Sequence, residues 1–177
     1  AEDLFLKFRY RTRLRAKTYR NLKKFIATMV TKIKERTVMV VAAQDLYQEV
    51  ITIASPKWAI ASLARIGGMY QQLSNDIYNY PAPKSFDEET AEFFRGDMAD
   101  RSDIQRAKAI DAYKLCLEKA REFRWFNNWS DLAERQLAEL DPSNFRYNAE
   151  ILASPVHLAR SRMAAGFYTQ PVKEGSK

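Results

Sequence analysis

Apolar side chains recur along this chain at intervals of three and four, the spacing of helices that bury one face. Leu22, Phe25, Ile26, Met29, Val30 and Ile33 form the first such stripe and leave Arg20, Lys23, Lys24, Lys34 and Arg36 largely outside it. This predicts a basic helix to about Thr37. Before it, Phe8, Tyr10, Thr12, Leu14 and Ala16 alternate with Arg9, Arg11, Arg13, Arg15 and Lys17, as on an edge strand. Helix is preferred here because no partner strand occurs elsewhere. A second helix is expected from Val38 to Ala54, ended by Ser55-Pro56, since proline cannot continue a helix interior. A third starts near Lys57 and carries Trp58, Ile60, Leu63, Ile66, Met69, Tyr70, Leu73 and Ile77 on one broad face. It stops before Tyr80-Pro81-Ala82-Pro83.

The pattern then becomes polar. Ser85 with Glu88 matches a capping box that starts a helix at Phe86, and Ser102 with Gln105 matches a second one. Two helices meeting at Ser102 and one long helix are both compatible with the sequence. From Ile104 to Phe123 the inner face is Ala109, Ala112, Tyr113, Cys116, Leu117 and Ala120. Another helix runs from Trp125 to Leu140 and closes at Asp141-Pro142. Ser154-Pro155 opens a short last helix to about Ala165, with a flexible tail over 169–177.

Composition agrees with long helices. The 177 residues include only five glycines and six prolines, and 46% are apolar, enough for one buried core. No run of 18 apolar residues is present, so a membrane span is not expected. The opening Ala1-Glu2-Asp3 lacks the basic and apolar regions of an attached secretory signal, although one could already have been removed. The net charge of +7 is unevenly spread. Residues 1–37 hold twelve Lys or Arg against three acids, a balance of +9, whereas 81–105 hold three against seven.

Several segments resemble tetratricopeptide repeats, helix–turn–helix units in which small residues face large ones. Ala43-x3-Tyr47-x2-Val50 is similar to a second repeat helix, and Leu63-x2-Ile66-Gly67-x2-Tyr70 to a first. Ala109-x3-Tyr113-x2-Cys116 and Trp129-x2-Leu132-Ala133 repeat that order, with cysteine standing where alanine is usual. The departure lies between Gly67 and Ala109, where 42 positions replace the expected interval of about 12. Over roughly 40–147, Pro56 to Gly67, Tyr80-Pro81-Ala82-Pro83, Ala109 to Tyr113 and Trp125-Phe126-Asn127-Asn128-Trp129 resemble extended repeat proteins of the myxobacterial cell envelope and gliding-motility type. That resemblance implies an all-α, repeat-type solenoid of antiparallel helix pairs. It also implies a non-catalytic scaffold in the bacterial periplasm or at the outer membrane; the cytoplasm is compatible too. The expected organisation is one helical domain over 1–168. It comprises a basic helix (1–37), repeat-like helices (38–80 and 104–142) and an acidic helical insertion (81–103).

Candidate chemistry is sparse. His157 is the lone histidine and joins no triad. Cys116 falls on an apolar face, where a buried inert thiol is the simplest reading. Asp87, Glu88, Glu89 and Glu92 lack the ligand spacing of a calcium loop and suit a first helical turn instead. Arg95-Gly96-Asp97 spells an adhesion tripeptide inside an expected helix. Trp125 and Trp129, one turn apart, are expected to anchor the core. No catalytic residue, metal or cofactor is expected. Two binding surfaces stand out. Tyr70, Tyr78 and Tyr80 are candidates to line a groove for a protein partner. Arg9, Arg11, Arg13, Arg15, Arg20 and Lys24, within the basic stretch 7–36, suit an acidic protein, nucleic acid or an anionic membrane surface.

Overall fold

In the computed structural model, residues 1–10, 22–53 and 55–147 are described, without the side chains of Arg9, Tyr10, Leu22, Lys23 and Ile53. Among them run five helices: α1 (Glu2–Tyr10), α2 (Leu22–Ile53), α3 (Pro56–Tyr78), α4 (Glu88–Glu122) and α5 (Asn128–Leu140). The all-α expectation is met. Residues Ala1–Phe145 form one compact unit; of the second, Arg146–Lys177, only Arg146 and Tyr147 are described. The expected helix from Ser154-Pro155, His157 and the tail lie outside the described residues, as does most of the alternating stretch 8–17.

α2 is continuous where two helices meeting at Thr37–Val38 were expected. No glycine or proline lies within it, and its threonines do not divert the backbone. The hydroxyls of Thr28, Thr31 and Thr37 donate back to the carbonyls of Lys24, Ala27 and Ile33, at 2.7, 2.9 and 2.9 Å. Its buried stripe is Phe25, Met29, Arg36, Val40, Ala43 and Tyr47, while Ile26 and Val30 are exposed. Arg36 therefore belongs to the inner face, contrary to expectation. Its guanidinium pairs with Asp76 of α3 and lies 4.5 Å from the centre of the Phe8 ring of α1. A partner forty positions away compensates the charge, which periodicity alone does not reveal.

α3 starts at Pro56 with Ser55 as its N-cap position, close to the expected start. Its apolar face is buried from Ile60 to Ile77, but Trp58, one turn in, is exposed. α4 packs along it through small residues. A Cβ at Gly67 would lie 2.6 Å from Tyr113 Cε1, and Ser74 donates to the Ser102 carbonyl at 2.9 Å. Cys116 Sγ approaches the Ile60 carbonyl at 3.5 Å. These three contacts run in opposite order along the two helices, so α3 and α4 are antiparallel.

One helix of 35 residues passes through Ser102, so the alternative of two helices is not realised. Ser102 is buried in mid-helix, and its hydroxyl donates to the Ala99 carbonyl rather than capping a new start. The N-cap at the other end is Asp87, not Ser85: its carboxylate accepts from the Thr90 amide at 3.1 Å. That bond with Thr90 holds the Asp87 carboxyl below its ordinary pKa. α4 closes at Arg124, whose φ of 51° is left-handed. Amide bonds from Arg124 to the Arg121 carbonyl and from Trp125 to that of Ala120 complete the turn. Trp125 is thereby outside any helix and exposed, so it does not anchor the core. Asn127 instead caps α5 through a reciprocal box with Ser130.

Candidate functional site

α3 is the central element: α2 and α4 each pack on it, and among the described residues their backbones do not approach one another. Both run in the same direction. Phe25 meets Phe94 at 5.9 Å between ring centres, near the start of each helix. Met29 to Val38 share a cavity with Arg101, and Gln44 to Thr52 share another with Lys108 to Lys119. Two parallel helices held apart by a third leave a groove between them.

The groove has an apolar floor and a mixed rim. At one end the rings of Phe25, Tyr80, Phe86 and Phe94 cluster, edge to face except for the tilted Phe25–Phe94 pair. Next comes a depression of about 270 Å³ bordered by Val30, Ile33, Val38 and Arg101. The larger cavity, about 620 Å³, has Leu63, Ile66 and Tyr70 of α3 below it. Gln44, Gln48 and Ile51 form its α2 wall, and Lys108, Ala112 and Leu115 its α4 wall. Its size is that of a small-ligand or side-chain pocket.

Tyr70 organises this cavity. Its hydroxyl donates to Gln44 Oε1, and the Lys108 ammonium lies 5.4 Å from its ring centre. Desolvation, with the Asp45 charge adding to it, raises the phenol pKa, so Tyr70 acts as a neutral donor. At the rim, Lys119 is bonded to Glu122 at 2.6 Å and Arg101 to Asp97 at 2.8 Å. Each bond raises the pKa of its cation.

The three groove tyrosines expected from sequence are dispersed. Tyr70 borders the cavity, Tyr80 is buried in the aromatic cluster, and Tyr78 is exposed at the end of α3. Of the basic candidates, Lys24 is exposed on α2 and Arg9 lies in the backbone of α1. Arg11, Arg13, Arg15 and Arg20 lie outside the described residues. Of the positions assigned to repeat packing, Ala43, Tyr47, Leu63, Gly67, Tyr70, Ala109, Tyr113, Cys116 and Ala133 are buried, and Trp129 partly so. Burial pushes the Cys116 thiol up to about 12.

Sequence reasoning missed Arg65. Its guanidinium lies 4.2 Å from the Phe5 ring centre and 4.7 Å from that of Trp129, and binds Glu2 at 2.9 Å. Tyr47 donates to the same carboxylate at 2.8 Å. This cluster ties α1 to α2 and α3; its members lie up to 127 positions apart, so no local pattern announces it.

No protein family, curated protein or solved structure matches the chain. Among the described residues no helix is long and apolar enough to cross a membrane, and no group of three potential metal ligands occurs.

Proposed function

We propose that this protein is a non-catalytic, repeat-type helical scaffold that holds a protein partner in the groove between α2 and α4. The single observation carrying this proposal is the groove itself, in which two parallel helices stand over an apolar floor. Side chains on both lips remain in water: Val38 is 59% and Leu115 41% exposed. An extended peptide or a helix laid between the lips would bury them, as in other helix-in-groove recognition. The placement of small residues against large ones at Gly67–Tyr113 supports the kinship with tetratricopeptide-type arrays. The envelope setting implied by that kinship is part of the same proposal.

The test is affinity capture from envelope and soluble fractions, comparing the unaltered chain with Val38→Glu and Leu115→Glu. These exposed positions tolerate charge without disturbing the core. A partner retained by the unaltered chain and lost from both variants is the expected result. Equal retention by all three contradicts the proposal.

The uneven charge favours a second reading, in which the basic stretch 7–36 binds nucleic acid or an anionic membrane surface. Among its described cations Lys7, Lys24 and Lys34 are exposed, whereas Arg36 is buried against Asp76. Binding of this kind falls steeply with salt. Replacing Arg9, Arg11, Arg13 and Arg15 with glutamine is expected to abolish it, and unchanged binding rejects it.

A further inference from the structure

Helices α2 and α4 carry matching strips, that of α2 running along the wall of the groove. On α2, Ile26, Val30, Thr37 and Val41 recur at intervals of four, seven and four, with Lys24 and Lys34 beside them. On α4, Glu89, Phe93, Asp100 and Ile104 recur at the same intervals. At 3.6 residues per turn, such spacing keeps each set on one side of its helix. The α4 strip points away from the buried Ala91, Phe94, Met98 and Ser102, and it sets two large apolar side chains between its carboxylates on a solvated face: Phe93 is 81% and Ile104 59% exposed. The charges are opposite, with lysines on the α2 side and carboxylates on the α4 side.

The two strips also share a level along the molecule. Phe25 sits against Phe94, and Lys34 lines the same depression as Arg101. On that register Ile26 falls within a turn of Phe93, Lys34 of Asp100, and Val38 of Ile104. A two-fold axis parallel to these helices leaves every level unchanged while exchanging α2 with α4 across the interface. Each copy's α2 strip then faces the α4 strip of the other, apolar against apolar and lysine against carboxylate. A self-complementary patch of this kind is what a two-fold dimer requires.

We propose that the groove face docks a second copy of this chain in a two-fold, parallel arrangement, with Phe93 and Ile104 of each copy set against the Ile26 to Val41 strip of the other. The proposal rests on the reading of the groove face as a docking surface and names its occupant. Closure of the face by a second copy would make access of other partners dependent on protein concentration.

The experiment is sedimentation equilibrium of the full chain over a concentration series, with circular dichroism of every variant to verify folding. A monomer–dimer equilibrium is expected, with a dissociation constant that rises with salt. Phe93→Glu, which removes an exposed ring and touches no core position, should raise it about tenfold or more. Lys34→Glu and Asp100→Lys should each raise it a few-fold, because like charges then face each other twice in the dimer. The two together in one chain should restore it, since each new carboxylate meets a new lysine. A folded chain that stays monomeric throughout overturns the proposal, as does a dimer indifferent to Phe93→Glu or a charge pair whose effects simply add. A monomer whose partner capture is still abolished by Val38→Glu and Leu115→Glu would overturn the dimer alone and leave the scaffold reading standing.

Discussion

The ring of Tyr113 occupies the space that a side chain at position 67 would need. A Cβ built on Gly67 falls 2.6, 2.7 and 2.9 Å from three atoms of that ring, which is buried and bonded through its hydroxyl to Gln71 at 2.8 Å. The contact sets how closely α4 approaches α3, and therefore the depth of the groove floor. Gly67→Ala gains up to about 1 kcal/mol of helix propensity but forces apart a packed ring, which costs about 1–3 kcal/mol. Net destabilisation by urea unfolding is the expected outcome. Gly96→Ala is the control: nothing lies within 4 Å of its Cβ, so the same change should stabilise by about 0.5–1 kcal/mol.

Arg36 and Asp76 form a pair whose side chains are 5% and 17% exposed. Removing one partner strands a charge in the interior, at a cost of about 3–5 kcal/mol for a buried pair. Asp76→Ala should thus unfold at markedly lower denaturant than the unaltered chain. The double variant Arg36→Met with Asp76→Ala, which removes both charges, should recover much of the loss. Additive losses in a double-mutant cycle would contradict this account of the joint between α1, α2 and α3.

The turn after α4 places an arginine where helices commonly use glycine. Arg124 holds a left-handed backbone with φ of 51°, a conformation that costs a non-glycine residue about 1–2 kcal/mol. Arg124→Gly should therefore raise stability by about 1 kcal/mol, less the entropy that glycine adds to the unfolded chain. At the next helix start, Asn127→Ala removes the bonds its side chain accepts from the Trp129 and Ser130 amides and should cost about 1 kcal/mol. Thermal melts of the two variants should shift in opposite directions.

The pH response follows from burial. The thiol of Cys116 is pushed up to about 12, and the phenols of Tyr113 and Tyr47 are raised as well, in each case first by desolvation. These groups are neutral when protonated, and the folded state holds their protons more tightly than the unfolded chain does. Their contribution is complete below the unfolded thiol value near 9 and declines as pH rises towards 12, because the unfolded state releases protons first. The contribution of these groups should be flat up to about pH 9 and fall beyond it. Cys116 should also resist a thiol reagent at pH 8 in the folded protein and react once urea unfolds it.

The parts of the fold legible in sequence are those fixed by neighbours along the chain. Ser55-Pro56 and the apolar face from Ile60 to Ile77 locate α3, and Gly67, Ala109 and Tyr113 mark where helices come close. The parts that escaped depend on distant partners. Arg36 sits on an inner face because Asp76 answers its charge, and Glu2, Tyr47, Arg65 and Trp129 converge from four helices. The start of α4 was missed by two positions because Ser85-x2-Glu88 and Asp87-x2-Thr90 overlap as signals, and the bond to Thr90 decides between them. Of the groove, sequence identified Tyr70. Its walls could not be read, since Gln44 and Lys108 come together only once α2 and α4 stand on either side of α3.

The most direct test of the scaffold account is site-specific photocrosslinking. A photoreactive phenylalanine analogue at Val38 or Leu115 samples the two lips of the groove; at Arg135, exposed on α5, it samples a position outside the groove lining. The account predicts the same crosslinked protein from both lip positions and none from Arg135. Equal labelling from Arg135, or lip positions that capture only nucleic acid or lipid, would contradict it.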